Sequence, residues 1–237
     1  MTKNIREMTP DEIMSIPTLG LDDEINVDCK ACGKCCKNRH DIILTPYDVY
    51  RISTYLGRTP MEVIKRYCEV YIAPTSKLPV VRVLPLPPKS ACPFLHRKKC
   101  SIHSKKPVVC KVFPLARLYF ADGDGTSKYC LSETGCGQSQ KKITVREWIG
   151  DLASEEAEKA GKAWLDILVY LVQIVEKMSI LPEDVRGLTY DTIFAALYIN
   201  YDIEKPFIQT LDYNFNNLKM ILRKLEKCNE TKQKEDI

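Results

Sequence analysis

Apolar side chains return every three or four residues along much of the chain and every second residue in two short stretches, and this alternation predicts most of the elements. Val49, Ile52 and Leu56, then Val63, Ile64 and Tyr67, recur at helical spacing and give two successive helices one apolar face each. Both helices open on Thr-Pro. Thr45 and Thr59 stand at the N-cap positions, Pro46 sits at the first helical position, Gly57 stops the first helix, and Glu62 is placed to close a capping box on the second. Cys68 falls on the second helix beside Tyr67 and Val70, where it reads as a packed core thiol. Residues 78–88, LPVVRVLPLPP, read as a short strand closed by prolines; a proline-rich recognition motif fits the Val-Val-Arg-Val core less well. The segment LARLYFADGDGTSKYCL alternates on both sides of Asp122-Gly123-Asp124-Gly125, a hairpin signal.

After TGCGQSQKK the period changes to helix. Thr144 and Glu147 make a capping box, and Trp148, Leu152, Trp164, Ile167, Leu168, Leu171, Val172 and Val175 define one long helix or a broken pair that stops near Pro182. Further helices are expected over residues 189–201 and 212–227, the latter with Leu218, Ile221, Leu222 and Leu225 on one face. The end of the chain, NETKQKEDI, has no apolar period and is expected to be frayed or disordered. The expected fold class is α+β, mainly helical, with an irregular cysteine-rich region containing a short hairpin and a helical cover. The expected organisation is an arm over 1–24, a cysteine-cluster domain over 25–140, a helical region over 141–227 and a disordered tail over 228–237.

Composition narrows the class. At 237 residues, 45% apolar and 28% charged, the chain can bury a real core and needs no staples to fold. The N-terminal residues MTKNIREMTPDEIMSI have no apolar h-region, and the longest apolar run, AWLDILVYLVQIV, falls short of the roughly 20 residues of a membrane span and is interrupted by Asp166 and Gln173. A cytoplasmic location without membrane attachment is therefore expected, and in a reducing compartment eleven cysteines argue for metal rather than disulfides. Charge is unevenly spread. No Asp or Glu occurs from Val70 to Ala121, while ten basic residues from Lys77 to Arg117 surround three cysteines. Such cations lower thiolate pKa values and offset an anionic metal-thiolate centre, or else form a solvated basic surface; without interleaved stacking aromatics a nucleic-acid partner is not expected.

The densest chemistry is DCKACGKCCKNRH. Cys29, Cys32, Cys35 and Cys36 fall within eight positions, as C-x-x-C-x-x-C-C. Two thiolates separated by two residues can grip one metal through a tight turn, which Gly33 assists. A third sulfur three residues on is the ferredoxin pattern, whose last cysteine precedes a proline, as Cys92 precedes Pro93 here. Zinc can claim the same thiolates in a closed tetrahedral site. With Cys92, Cys100, Cys110 and Cys136 the candidates number eight, enough for two clusters, two metals, or one centre beside a redox pair. Vicinal Cys35 and Cys36 are expected to diverge toward different centres or different roles. His40 and His103 are weaker candidates than the thiolates, and His96 reads as a surface residue. Calcium is not expected in the Asp-Gly loop, because Thr126 falls where a third carboxylate is needed.

The order CxxCGxCC, ILTPYDVYRI, CPFL, CSIH, KP, VCKVFP and CG, from about Asp28 to Gly137, resembles the YkgJ-type cysteine-cluster family of candidate zinc- or iron-chelating proteins. The resemblance implies that Cys29, Cys32, Cys35, Cys36, Cys92, Cys100, Cys110 and Cys136 are the metal-binding set and that Cys68, Cys130 and Cys228 are extras. Lys106-Pro107 and Lys111 stand where the family often has arginine, which keeps the charge but not the bidentate geometry. The family is also similar to the cysteine region of flagellin lysine methylases, which implies a modifying enzyme as one function.

Three functions are consistent with these residues. One is an iron-sulfur protein with one or two 4Fe-4S clusters, working in redox chemistry or beside a modifying enzyme, with a redox or protein partner. Another is a zinc-binding structural or interaction module. The third is a protein-modifying, methyl-transferring enzyme, but the chain has neither a glycine-rich nucleotide loop after a strand nor the C-x-x-x-C-x-x-C spacing of radical enzymes, since Arg39 stands at its last position.

Overall fold

Four threonines start helices by one device. Thr9, Thr45, Thr59 and Thr144 each accept from the backbone N–H three residues on, while Glu12, Asp48, Glu62 and Glu147 bond back to the cap residue. A computed structural model of the chain describes residues 9–88, 90–119, 127–132, 136–178 and 181–235. In chain order the elements are α1 (Pro10–Met14), β1 (Glu24–Val27), β2 (Ile43–Leu44), α2 (Pro46–Leu56), α3 (Pro60–Tyr67), β3 (Cys68–Ile72), β4 (Pro79–Val83), β5 (Leu95–His96), β6 (Lys99–Cys100), α4 (Val108–Val112), β7 (Leu115–Leu118), β8 (Lys128–Leu131), β9 (Gln138–Thr144), α5 (Val145–Ile149), α6 (Glu155–Met178), α7 (Glu183–Phe194) and α8 (Phe207–Glu235). The fold is α+β and mainly helical, with small antiparallel strand pairs. Among the described residues no helix is long and apolar enough to cross a membrane.

The chain forms two compact units that are interleaved in sequence. One comprises Met1–Cys32 and Val108–Glu158, the other Gly33–Pro107 and Lys159–Ile237. In the first, β1 pairs with β9 and β7 with β8, and Ile25, Val27, Leu115, Tyr129, Val145, Ile149 and Leu152 are buried. The β7–β8 hairpin matches the expected alternation, while its Asp-Gly turn lies outside the described residues. A charged group is sunk into this unit. Arg117 Nε donates to Ser127 Oγ at 2.7 Å, Ser127 Oγ donates to Glu158 Oε2 at 2.8 Å, and Arg117 Nη2 lies 2.8 Å from Glu158 Oε1. The Arg117 side chain is only 6% exposed.

In the second unit β4 is the middle strand of the three-stranded sheet β2-β4-β3, and α2, α3, α7 and the π-helical turn Ala195–Ile199 supply the apolar cover. Ile52, Val63, Val81, Leu197, Tyr198 and Phe207 are buried there. Stacked and tilted rings of Tyr47, Tyr50, Tyr201 and Phe207 join α2 to the start of α8.

Several elements differ from the expectations. Cys68 is buried as expected but begins β3 rather than lying on α3, because Cys68–Ile72 pairs residue by residue with β4. The long helical stretch after Thr144 is a broken pair, since Gly150 at φ 58 turns α5 into the 3-10 turn Gly150–Ala153 before α6. The helix expected from 189 begins at Glu183, directly after Pro182, whose fixed φ suits a helix entry. The last helix reaches Glu235 where a disordered tail was expected. No Gly or Pro interrupts residues 207–235, and Lys, Glu and Gln at its end are good helix formers.

Removing one partner of the buried Arg117–Glu158 pair strands a charge. Glu158→Ala should lower unfolding stability by about 3 kcal/mol, read from urea denaturation followed by circular dichroism. A change within about 0.5 kcal/mol, the range of an exposed substitution, would show that water already serves the guanidinium.

Candidate metal centre

The loop that carries Cys35 and Cys36 is bent by local backbone geometry. Gly33 adopts φ 69, where a side chain is strained, and a Cβ there would stand 3.3 Å from Leu95 Cδ1 and 3.5 Å from the Lys98 carbonyl oxygen. Lys34–Cys36 then forms one 3-10 turn. In an extended chain successive side chains point to opposite faces, but here the two sulfurs stand 4.0 Å apart. The expected divergence of Cys35 and Cys36 does not occur, because the turn replaces extended backbone.

A short ladder then brings in a third thiol. Lys37 and Ala91 form an isolated antiparallel bridge, Asn38 N donates to Ser90 O at 2.8 Å, and Cys92 N donates to Cys36 O at 2.8 Å. This register sets Cys36 directly opposite Cys92, with both side chains on one face of the ladder. The fourth thiol arrives through the β5–β6 hairpin. Arg97 and Lys98 take φ 46 and 66, the left-handed pair of a two-residue type I′ turn, so that Leu95 faces Cys100. Leu95 N in turn donates to Cys92 O at 2.9 Å, folding the hairpin back on Cys92.

The electrostatics treat these four sulfurs as one group. Burial raises the Cys92 and Cys100 pKa values, and negative charge on Cys35, Cys92 and Cys100 opposes ionisation of Cys36. The Cys36 thiol is pushed far up, first by its hydrogen bond to Cys35 and next by burial, whereas Cys35 falls to about 6. The dominant cause at Cys35 is the hydrogen bond from Cys36, with Lys106 and Arg39 adding positive charge against burial. One proton is therefore held between two sulfurs. Arg39 is itself fixed by a fork onto Asp41, at 2.6 and 3.0 Å. The Lys106 carbonyl accepts from buried Arg51 at 3.1 Å.

The remaining candidates belong to the other unit. Cys29 and Cys32 are exposed in the segment after β1, Cys110 lies half-buried on α4, and Cys136 is half-buried in the turn before β9. β1 and β9 pair Val27 with Gln138, and Asp28 N donates to Gly137 O at 2.8 Å, which holds the residue before Cys29 beside the residue after Cys136. Gly137, at φ 73, permits this approach, since a Cβ on it would stand 3.1 Å from the Asp28 carbonyl oxygen. His40, His96 and His103 are all exposed. Among the described residues no three His, Cys, Asp or Glu side chains already converge on a point where an ion could sit. The 3-10 turn sets Cys35 beside Cys36, and the bridge at Ala91 sets Cys36 opposite Cys92. The donor set is nonetheless all sulfur with cations beside it, which suits zinc or iron and excludes the oxygen-seeking calcium and magnesium.

The family description "Putative zinc- or iron-chelating domain", CxxCxxCC, matches residues 28–145. This segment is a CxxCxxCC domain. The match contains all eight candidate cysteines and also Cys68 and Cys130, and it makes the region metal-binding. No curated protein and no solved structure matches the chain. Sequence reasoning missed Arg39, which carries no motif of its own, and the cross-strand pairing of cysteines, which depends on register.

Metal-free protein should show one thiol that reacts with iodoacetamide in a pH dependence rising through about 6 and levelling above it, because the thiolate, favoured above its pKa, is the nucleophile. In Cys36→Ala the inflection should move up toward the ordinary thiol value of 9.0. An unmoved inflection would assign the low pKa to the cations instead of the hydrogen bond.

Proposed function

We propose that Cys35, Cys36, Cys92 and Cys100 bind a single zinc ion in a closed tetrahedral site, and that the chain is a zinc-stabilised module whose surface engages a protein partner. The 4.0 Å between the Cys35 and Cys36 sulfurs carries this reading. Two sulfurs each about 2.3 Å from one tetrahedral ion stand roughly 3.8 Å apart, so the pair needs almost no adjustment to share an ion. A cubane cluster takes one thiolate per iron, which spreads the sulfurs wider. Four thiolates on a divalent ion leave a net negative centre, which Lys106 and Arg39 offset. When bound, the ion supplies a fastening for an irregular segment. The chain supplies the turn, the ladder and the hairpin that present its sulfurs.

A second reading has its own observation. Cys29, Cys32 and Cys35 keep the three-residue spacing of iron-sulfur loops, and Pro93 follows Cys92 as it follows the last ferredoxin cysteine. Under that reading the centre is a 4Fe-4S cluster, the cations raise its potential, and the partner exchanges electrons or is a modifying enzyme.

Full-length protein purified without oxygen and analysed for metal separates the two. Colourless protein with stoichiometric zinc, which on cobalt exchange gains the intense visible bands of a tetrahedral thiolate complex, is the expected result. Brown protein containing iron with equal acid-labile sulfide would replace zinc by the cluster.

A further inference from the structure

We propose that the eight cysteines make two self-contained four-thiolate centres, one per compact unit: Cys35, Cys36, Cys92 and Cys100 in one, and Cys29, Cys32, Cys110 and Cys136 in the other. The inference rests on the thiolate-metal reading above and adds a second ion and a division of labour that the C-x-x-C-x-x-C-C run conceals. The chain passes from one unit to the other between Cys32 and Gly33, in the middle of that run. Cys29 and Cys32 therefore fold with one set of remote cysteines, and Cys35 and Cys36 with another.

The two units prepare their thiols alike. In each, backbone pairing brings one cysteine of the run to a remote one: Cys36 stands opposite Cys92 across a bridge, and the Asp28–Gly137 bond joins the neighbours of Cys29 and Cys136. Each also has a glycine with positive φ near a cysteine that lets another segment approach closely, Gly33 two residues before Cys35 and Gly137 directly after Cys136. The C-x-x-C pair Cys29 and Cys32 is bent by Ala31 at φ 47, as suits two sulfurs turning to one side. Five cysteines of this unit are described, and Cys130 is only 4% exposed on β8, which leaves Cys110 as the half-buried fourth donor. Each thiol that takes the metal releases its proton to solvent, and metal arrival draws the preset pairs together.

Cadmium-exchanged full-length protein tests this by cadmium NMR together with metal content. Two resonances at all-sulfur shifts and two ions per chain are expected. Cys136→Ser should remove one resonance and halve the metal, Cys92→Ser should remove the other, and each variant should keep the circular dichroism of its untouched half. One ion per chain, lost in both variants, would mean a single shared centre, as would coupling between two cadmium nuclei through a common thiolate; either overturns the division and leaves thiolate binding intact. Wild-type protein that holds no cadmium at stoichiometric loading would instead overturn the metal reading itself.

Discussion

The hydrogen bond from Cys92 N to Cys36 O, at 2.8 Å, is the constraint on which the metal chemistry of the second unit depends. It fixes register between two irregular segments that lie 56 positions apart in the chain, and register decides which face a side chain takes. A slip of one residue would turn Cys92 away and leave Cys36 facing Pro93 or Ala91. Everything around the bond serves to hold it. Gly33 permits the turn before it, the Asn38–Ser90 bond closes the ladder on one side, and the Arg97-Lys98 turn folds the chain back on the other. No single one of these contributes more than about 1 kcal/mol net, so an ion shared by the sulfurs would hold this place together more strongly than any of them.

Burial and charge act against each other around that ladder. Desolvation opposes ionisation at Cys92, Cys100 and Cys36, so a metal-free centre prefers protonated thiols. Lys106 and Arg39 favour the charged form at Cys35, and the hydrogen bond from Cys36 favours it more. The first proton leaves easily and later ones do not. A metal cation reverses that order, because its own charge is the largest in the site and every thiol it meets becomes a thiolate. The basic stretch from Val70 to Ala121 thus finds a concrete use in Lys106, while Lys77, Arg97, Lys98 and Lys99 remain on the exposed surface.

What the sequence made legible was chemistry that acts over three or four residues. The Thr45, Thr59 and Thr144 caps and the β7–β8 alternation follow from local bonding and period, so they stand where they were expected. What it concealed was long-range pairing. Cys68 changed from helix to strand because β4 offered a ladder partner, and the helix interior after Thr144 broke at Gly150 because that residue could take φ 58. The cysteines show both sides. Their number and spacing announced a metal, but in a linear reading Cys35 belonged with Cys29 and Cys32.

That difference carries a general physical point about dense cysteine runs. A run of four thiols within eight residues offers more sulfur than one tight turn can aim at one ion, because a change of backbone conformation between neighbours redirects every side chain that follows. Here Ala31 and Gly33 both adopt positive φ, so the backbone leaves the extended path twice between Cys29 and Cys35. The two halves of the run then bond to different remote segments, Cys36 O to Cys92 N and Asp28 N to Gly137 O. Under the proposed division the motif is two short grips joined at Gly33 rather than one long one. Each grip is incomplete alone, since it supplies two sulfurs where a tetrahedral ion takes four. The remote cysteines arrive on different elements, Cys100 on the β5–β6 hairpin, Cys110 on α4 and Cys136 in the turn before β9, so under the proposed division ligand supply would follow from folding each unit to its own register.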